Sequence, residues 1–304
     1  MKKIAFVFAG QGAQYSGMGK SLYDVSPAVR ELYEQAEAIR PGTMAQSFSG
    51  TAEELRQTVN TQPCVYLADL AAALALAERG IRGELCAGFS LGEVAVLAYS
   101  GVYSYGEGFS LVTKRAQFMQ EASQGMEPAM AAVMKLEQAV IEQVCAETAD
   151  VYPVNYNSPG QIAISGTAAG VAAFKEKTAS LGGRILEIPV SGAFHSPFMA
   201  SASEKLAEVM EDMSFRPADI PVYANLTAEP YGEDIPGTLA AQVKSPVLWE
   251  KTIEAMISAG AEVFIECGPG KTLAGLIKRI NKDVQVFSVQ DAETLEAVCA
   301  AMEV

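Results

Sequence analysis

Short apolar runs in this chain alternate with stretches whose apolar residues recur at helical spacing. The runs Ile4–Phe8, Leu85–Phe89, Val263–Glu266 and Val284–Val289 read as sheet strands. Helical patterns cover Val65–Arg79, Leu91–Tyr99, Phe109–Ala122, Ala200–Met213, Val247–Ser258 and Thr272–Ile280. The Asn60–Pro63 stretch is expected to be the loop that opens the first of these helices. Strands separated by helices predict a parallel sheet covered by helices.

The rhythm changes between about Ala129 and Val190. Ala129–Met134 reads as a strand, Leu136–Glu147 as a helix, and Val151–Asn155 with Ile162–Ser165 as a hairpin pair. A helix over Ala168–Leu181 is ended by Gly182-Gly183, and Ile185–Val190 is a last strand. The order β-α-β-β-α-β is the ferredoxin-like signature. The expected organisation is a discontinuous α/β domain, residues 1–127 and 193–304, carrying a ferredoxin-like subdomain over 128–192. A cleft between the two is the natural binding site.

Composition narrows the function classes. At 304 residues the chain exceeds the usual size of a single core, which suits a domain with an insertion. Lys2-Lys3 before Ile4–Phe8 mimics the start of a signal peptide, but the run is short and opens onto the loop Gly10-Gln11-Gly12-Ala13-Gln14, so a buried strand fits better. No apolar run is long enough to span a bilayer. Five scattered cysteines and one histidine give no metal-ligand spacing and read as reduced thiols of a cytoplasmic protein. A net charge of −14 argues against nucleic acid as a partner. An acidic partner would need a local cluster of Lys and Arg.

The chemistry concentrates at Gly88-Phe89-Ser90-Leu91-Gly92, a G-x-S-x-G pattern between a strand and a helix. A sharp strand-to-helix turn leaves room only for small flanking residues and lifts the hydroxyl above the sheet edge, beside the positive helix end. This pattern makes the main domain α/β-hydrolase-like. The plainer alternative is a glycine-rich turn whose serine caps a helix. A serine needs a base to take its proton, and the one histidine, His195, follows the last strand of the insertion, where the chain re-enters the main domain. No Asp or Glu is evidently placed to orient it, so a dyad held by a backbone carbonyl and a triad both stay open. Gly270-Lys271-Thr272 resembles the end of a phosphate-binding loop, but the required earlier glycine is replaced by Ile265; a tight turn with a positive rim is the sounder reading.

Together these motifs resemble the malonyl-CoA:acyl carrier protein transacylases, and related acyltransferases of fatty acid and polyketide synthesis, over essentially the whole chain. The residues that carry the resemblance are Gly10–Gln14, Thr61-Gln62-Pro63, Gly88–Glu93, Arg115 in Lys114–Met119, Asn155–Gln161, Gly192–His195 and Gly268–Lys271. The resemblance implies that Ser90 is acylated, that His195 is its base, and that the amides of Leu91 and Gln11 form the oxyanion hole. It implies that Arg115 clamps the malonyl carboxylate, a task suited to a planar guanidinium. Phe194 matches the position where malonyl-selective polyketide enzymes carry phenylalanine, so it is expected to exclude an α-methyl group. The implied partners are malonyl-CoA and holo-acyl carrier protein, with no resident cofactor, and a monomer is expected.

Two positions depart from the family pattern. Phe89 replaces a histidine before the nucleophile, which bears on how the substrate carboxylate is positioned. Leu248 replaces a glutamine whose backbone carbonyl is thought to orient the catalytic histidine; Leu248 retains a carbonyl. A serine thioesterase using the same Ser90 and His195 is the alternative function. Candidate docking residues for an acidic carrier are Arg184, Lys278, Arg279 and Lys282, although the helical ones also suit the negative end of their own helix dipole.

Overall fold

The computed structural model describes residues 2–189 and 191–303. Val190, the expected end of the insertion's last strand, lies outside the described residues. Nine strands occur among those residues: β1 Lys3–Phe8, β2 Leu85–Gly88, β3 Pro128–Met134, β4 Val151–Ser158, β5 Gln161–Thr167, β6 Arg184–Ile188, β7 Val222–Tyr223, β8 Ala261–Cys267 and β9 Gln285–Val289. They form two sheets, a parallel one in the order β7-β2-β1-β8-β9 and an antiparallel one in the order β4-β5-β3-β6.

Continuous apolar sequence in β1 follows from burial on both faces. Phe6 and Phe8 join the core on one side of the parallel sheet, with Val94, Leu97 and Phe109. Ala5 and Val7 join the other, with Trp249, Ile253 and Phe264. Phe8 pairs with Gly88 on one side and Cys267 on the other, so the carboxyl ends of β1, β2 and β8 lie level. The chain moves from β1 to β2 in one direction and returns to β8 on the opposite side of β1. Ligands bind at such reversals, outside the carboxyl ends of the strands.

The expected strands recur within a few residues of their predicted bounds, with β7 as an addition too short to show a period of two. Asn60–Pro63 is a correction: it lies inside the helix Thr58–Glu78 instead of in a loop before it. A proline inside a helix removes the amide that would bond the carbonyl four residues earlier. That carbonyl, on Val59, accepts from Arg40 Nη2 at 3.4 Å, so the turn before Pro63 survives. The helix Pro27–Ile39, not anticipated, carries a signature that was readable: Ser26 caps it by accepting from the Val29 amide at 3.1 Å, and proline takes the first helical position.

The antiparallel sheet is stitched to the parallel body. Tyr156 donates its amide to the Val247 carbonyl at 2.9 Å, and the Val247 amide donates to the Val154 carbonyl at 2.8 Å. Edge strand β4 is thereby covered, and its Asn155 and Asn157 face the carboxyl ends of the parallel strands across a cavity of about 250 Å³. No helix among the described residues is long and apolar enough to cross a membrane.

Candidate active site

Ser90 lies in the turn between the end of β2 at Gly88 and the start of the helix Gly92–Tyr99. Its φ is 55°, in the left-handed region. The turn is packed so closely that a Cβ on Gly88 would lie 2.0 Å from the Gly92 carbonyl carbon. A Cβ on Gly92 would lie 2.5 Å from the Phe8 carbonyl oxygen. Asn225 holds the turn: its Oδ1 accepts from the Ser90 amide at 2.8 Å, and its Nδ2 donates to the Gly88 carbonyl at 2.6 Å.

His195 also has a left-handed backbone, with φ of 59°. Its Nε2 is 2.7 Å from Ser90 Oγ. Its Nδ1 is 3.1 Å from the Gln242 carbonyl and 3.2 Å from the Ser245 carbonyl. Carbonyl oxygens only accept, so Nδ1 carries the proton and Nε2 is left bare toward the serine hydroxyl. The pair is a dyad oriented by backbone carbonyls. The Leu248 carbonyl is not one of them: it accepts from the amide and hydroxyl of Thr252 within its own helix turn, which corrects the expectation for that position. Burial, and then the charge of Arg115, push the imidazole down to about 4, against a weaker upward pull from the two carbonyls. The ring is therefore neutral near pH 7, the state a general base requires.

Arg115 stands on the helix Tyr105–Ala122 and is 1% exposed. Nη1 donates to Gln62 Oε1 at 2.8 Å, and Nη2 donates to Gln242 Oε1 at 2.9 Å and to Ser90 Oγ at 3.2 Å. Nε has no partner. Burial lowers the guanidinium to about 10, still cationic at neutral pH. Among the described residues no carboxylate touches it. The nearest acid in the network, Glu93, is reached through Gln242, whose Nε2 donates to Glu93 Oε2 and to the Ser90 carbonyl. Glu93, buried and also accepting from Asn225 and Tyr231, is raised to about 7 by desolvation. An acid biased toward its neutral form and one residue removed leaves the buried cation poorly neutralised.

The remaining predicted residues fall around this centre. Gln11 and Phe194 line the cavity with Ser90 and His195. Leu91 is buried at the head of the helix that follows Ser90 and does not line the cavity. Among the described residues, neither the Gln11 nor the Leu91 amide donates to another protein group. Phe89 also lines the cavity, its ring edge-on to Trp249 at 5.3 Å between centroids. Sequence reasoning missed Gln242 and Asn225 and attached no role to Gln62 or Glu93. Gln62 and Glu93 sit inside quoted motifs, so position beside Arg115 was the missing information. Gln242 and Asn225 stand in unremarkable runs, Ala-Ala-Gln-Val and Tyr-Ala-Asn-Leu, and carry no local signal.

A family model described as "Acyl transferase domain" matches residues 5–299. A malonyl CoA-acyl carrier protein transacylase of Bacillus subtilis is 40% identical over 97% of this chain and 96% of its own. The crystal structure of a malonyl CoA-acyl carrier protein transacylase from Clostridium perfringens superposes with a TM-score of 0.95 at 36% identity, covering 99% of this chain and 97% of the other. A chain of the solved complex of a type II PKS acyl-carrier protein with its malonyl-transacylase also matches, with a TM-score of 0.94 at 33% identity and full coverage of both chains. A family match running from the first strand to the last helix, with relatives aligned end to end around the same fold, has one reading: this chain belongs to the acyl transferase domain family.

Proposed function

We infer that this chain moves a malonyl group from coenzyme A to the phosphopantetheine thiol of acyl carrier protein, through an ester on Ser90. The observation that carries the reading is Arg115, a buried cation without a carboxylate partner among the described residues, 3.2 Å from Ser90 Oγ. Such a group is costly unless an anion arrives to pair with it, and malonyl is a thioester that brings a carboxylate.

In the first half-reaction Ser90 Oγ attacks the thioester carbonyl carbon while its proton passes to His195 Nε2. The free amides of Gln11 and Leu91 take the oxyanion. The C–S bond then breaks and His195 returns the proton to the departing coenzyme A thiolate. In the second half, the carrier thiol gives its proton to His195 and its sulfur attacks the ester carbonyl; the C–O bond breaks and His195 returns the proton to Ser90 Oγ. Coenzyme A enters as part of the substrate, and no resident cofactor takes part. Phe194, packed beside His195 in the cavity wall, takes up the space an α-methyl would need, so malonyl is preferred over methylmalonyl.

Strand order and closed hydrogen bonding of β3–β6 support a ferredoxin-like insertion over residues 128–192. The turn at Ser90 supports an α/β-hydrolase-like body over 1–127 and 193–304. Brief mixing with malonyl-CoA and intact mass measurement tests the function. A malonyl adduct lost in Ser90→Ala is expected, with carrier protein discharging it. Arg115→Ala should depress malonyl labelling at least ~100-fold more than acetyl labelling, the scale of a lost charge-assisted pair. Rapid turnover of malonyl-CoA with no adduct would instead assign the same residues to a thioesterase. Equal malonyl and acetyl losses would remove Arg115 as the carboxylate clamp.

A further inference from the structure

Seven residues beyond Gln62, on the same face of the helix Thr58–Glu78, stands Asp69. It is completely buried, and among the described residues neither carboxylate oxygen has a hydrogen-bond partner. Its position is specific. A Cβ on Gly268 would lie 1.9 Å from Asp69 Oδ1 and 3.1 Å from the Ala9 Cβ, so the carboxyl presses against the chain where it leaves β8, beside the end of β1. There the Ala9 amide donates to the Cys267 carbonyl at 3.2 Å and ties the two strand exits together. The segment Ala9–Ala13, which carries Gln11, lines the cavity in front of Ser90. Gly268 itself has φ of 119°, which only glycine adopts readily.

The groups facing Asp69 give it no counter-charge. Glu266 and Cys267 approach from β8 and Tyr33 from the helix Pro27–Ile39, and none brings a positive charge. Glu266 is a different kind of acid: burial raises its carboxyl, but its oxygens accept from the amides of Leu273 and Ala274 at the start of the helix Thr272–Ile280, which pull against that rise. Asp69 has no cation, and burial followed by the Glu266 charge holds its carboxyl well above the usual carboxylate range against a weaker downward pull from the Ala9 amide.

We propose that Asp69 is a positioning residue for the transfer reaction: as a neutral acid it seats the Ala9–Ala13 segment and the Gly268 turn against Ser90, and its ionisation unseats them. The role rests on the Ser90 reading above. A charged carboxylate in this setting must recruit water or move, and both routes displace the segment that carries the Gln11 amide.

The test follows malonyl labelling of Ser90 and the thermal midpoint from pH 5 to pH 9 for the wild type, Asp69→Asn and Asp69→Ser. Asparagine matches the neutral acid in shape and cannot ionise; serine is a smaller neutral residue should asparagine disturb folding. Wild-type labelling should fall as pH rises, while Asp69→Asn labels within about twofold of wild type at pH 5 and loses that alkaline fall. The stability sign follows from linkage. A folded pKa raised above the unfolded value means the acid's contribution is complete at low pH and is lost as pH rises toward the folded value. The midpoint of Asp69→Asn should therefore exceed that of wild type by a margin that grows with pH. Both variants keeping the wild-type pH profile, or a margin equal at pH 5 and pH 9, would overturn the proposal. If wild-type Ser90 takes no malonyl at any pH, the proposed function fails instead, and the thermal margin alone decides the protonation of Asp69.

Discussion

Ser90 and His195 both occupy left-handed backbone conformations, at φ of 55° and 59°, which cost residues with a Cβ about 1–3 kcal/mol each. The surroundings hold them there: Asn225 bonds both sides of the Ser90 turn, and the Gln242 and Ser245 carbonyls fix the imidazole. The strain aims two short side chains at each other across 2.7 Å. Because burial and Arg115 push His195 down to about 4, the acid limb of kcat/KM for malonyl-CoA should have its midpoint near that value, not near the ordinary 6.5. The same shift affects folding. A base kept neutral in the fold contributes stability that is present above the unfolded pKa and is lost as pH falls from about 6.5 toward about 4. His195→Ala should slow labelling by about 10²–10⁴ and flatten the pH dependence of the residual rate. A midpoint near 6.5 in the wild type would mean that the ring is solvated when it acts.

At the scale of elements, the site depends on three parallel strands ending level, so that the turns after β1, β2 and β8 meet over one cavity. The glycines of the β2 turn let a helix start at Gly92, only a short turn after the strand ends at Gly88. Gly92→Ala would force a methyl to 2.5 Å from the Phe8 carbonyl oxygen and 2.7 Å from that of Ala9, two backbone atoms that cannot swing aside. The expected cost is about 1–3 kcal/mol, read from the denaturant midpoint, with malonyl labelling lost along with the level strand ends. Gly275, in the helix Thr272–Ile280, has open space where a Cβ would go, so Gly275→Ala should stabilise by up to about 1 kcal/mol. Equal effects at the two glycines would show that close packing of the turn is not what the G-x-S-x-G spacing serves. The helix Thr58–Glu78 shows the opposite lesson. Pro63 suggests a break, but Arg40 takes up the one carbonyl the proline strands, and tertiary contact overrides the local signal.

For the whole molecule, a net charge of −14 makes the approach of an acidic carrier protein unfavourable at long range, so docking needs local basic residues. Of the four candidates, Lys278 turns inward and donates to the Lys282 and Val284 carbonyls, as a helix-end lysine does. Arg279 reaches Gln161, a residue of the cavity wall on the antiparallel sheet, and so stands at the cleft mouth. Arg184 is exposed on β6, whose far end, Ile188, also lines the cavity. Reversing Arg184 and Arg279 to Glu should raise the KM for carrier protein several-fold, with malonyl-CoA labelling nearly unchanged, and added salt should do the same to the wild type. Unaltered carrier kinetics in the double variant would place docking on another face.

The chain's own order of residues determined the two-sheet division, since continuous apolar runs and the β-α-β-β-α-β rhythm are local patterns that survive without tertiary information. It also singled out Ser90 and His195 as the candidate nucleophile and base, because a glycine-flanked serine and a single histidine leave few alternatives. What held those residues was decided only in the fold. Gln242 lies 152 residues from Ser90, and Asn225 lies 135 away. Each sits in a run with no feature of its own and becomes part of the site through a position in space. The same holds for Leu248: a carbonyl is present at every residue, so sequence could not say which one meets His195. The fold brings those of Gln242 and Ser245 to the ring and spends that of Leu248 on a helix turn. Backbone groups and solitary polar side chains acquire direction only when the chain is folded, and the chemistry of this site is written largely in them.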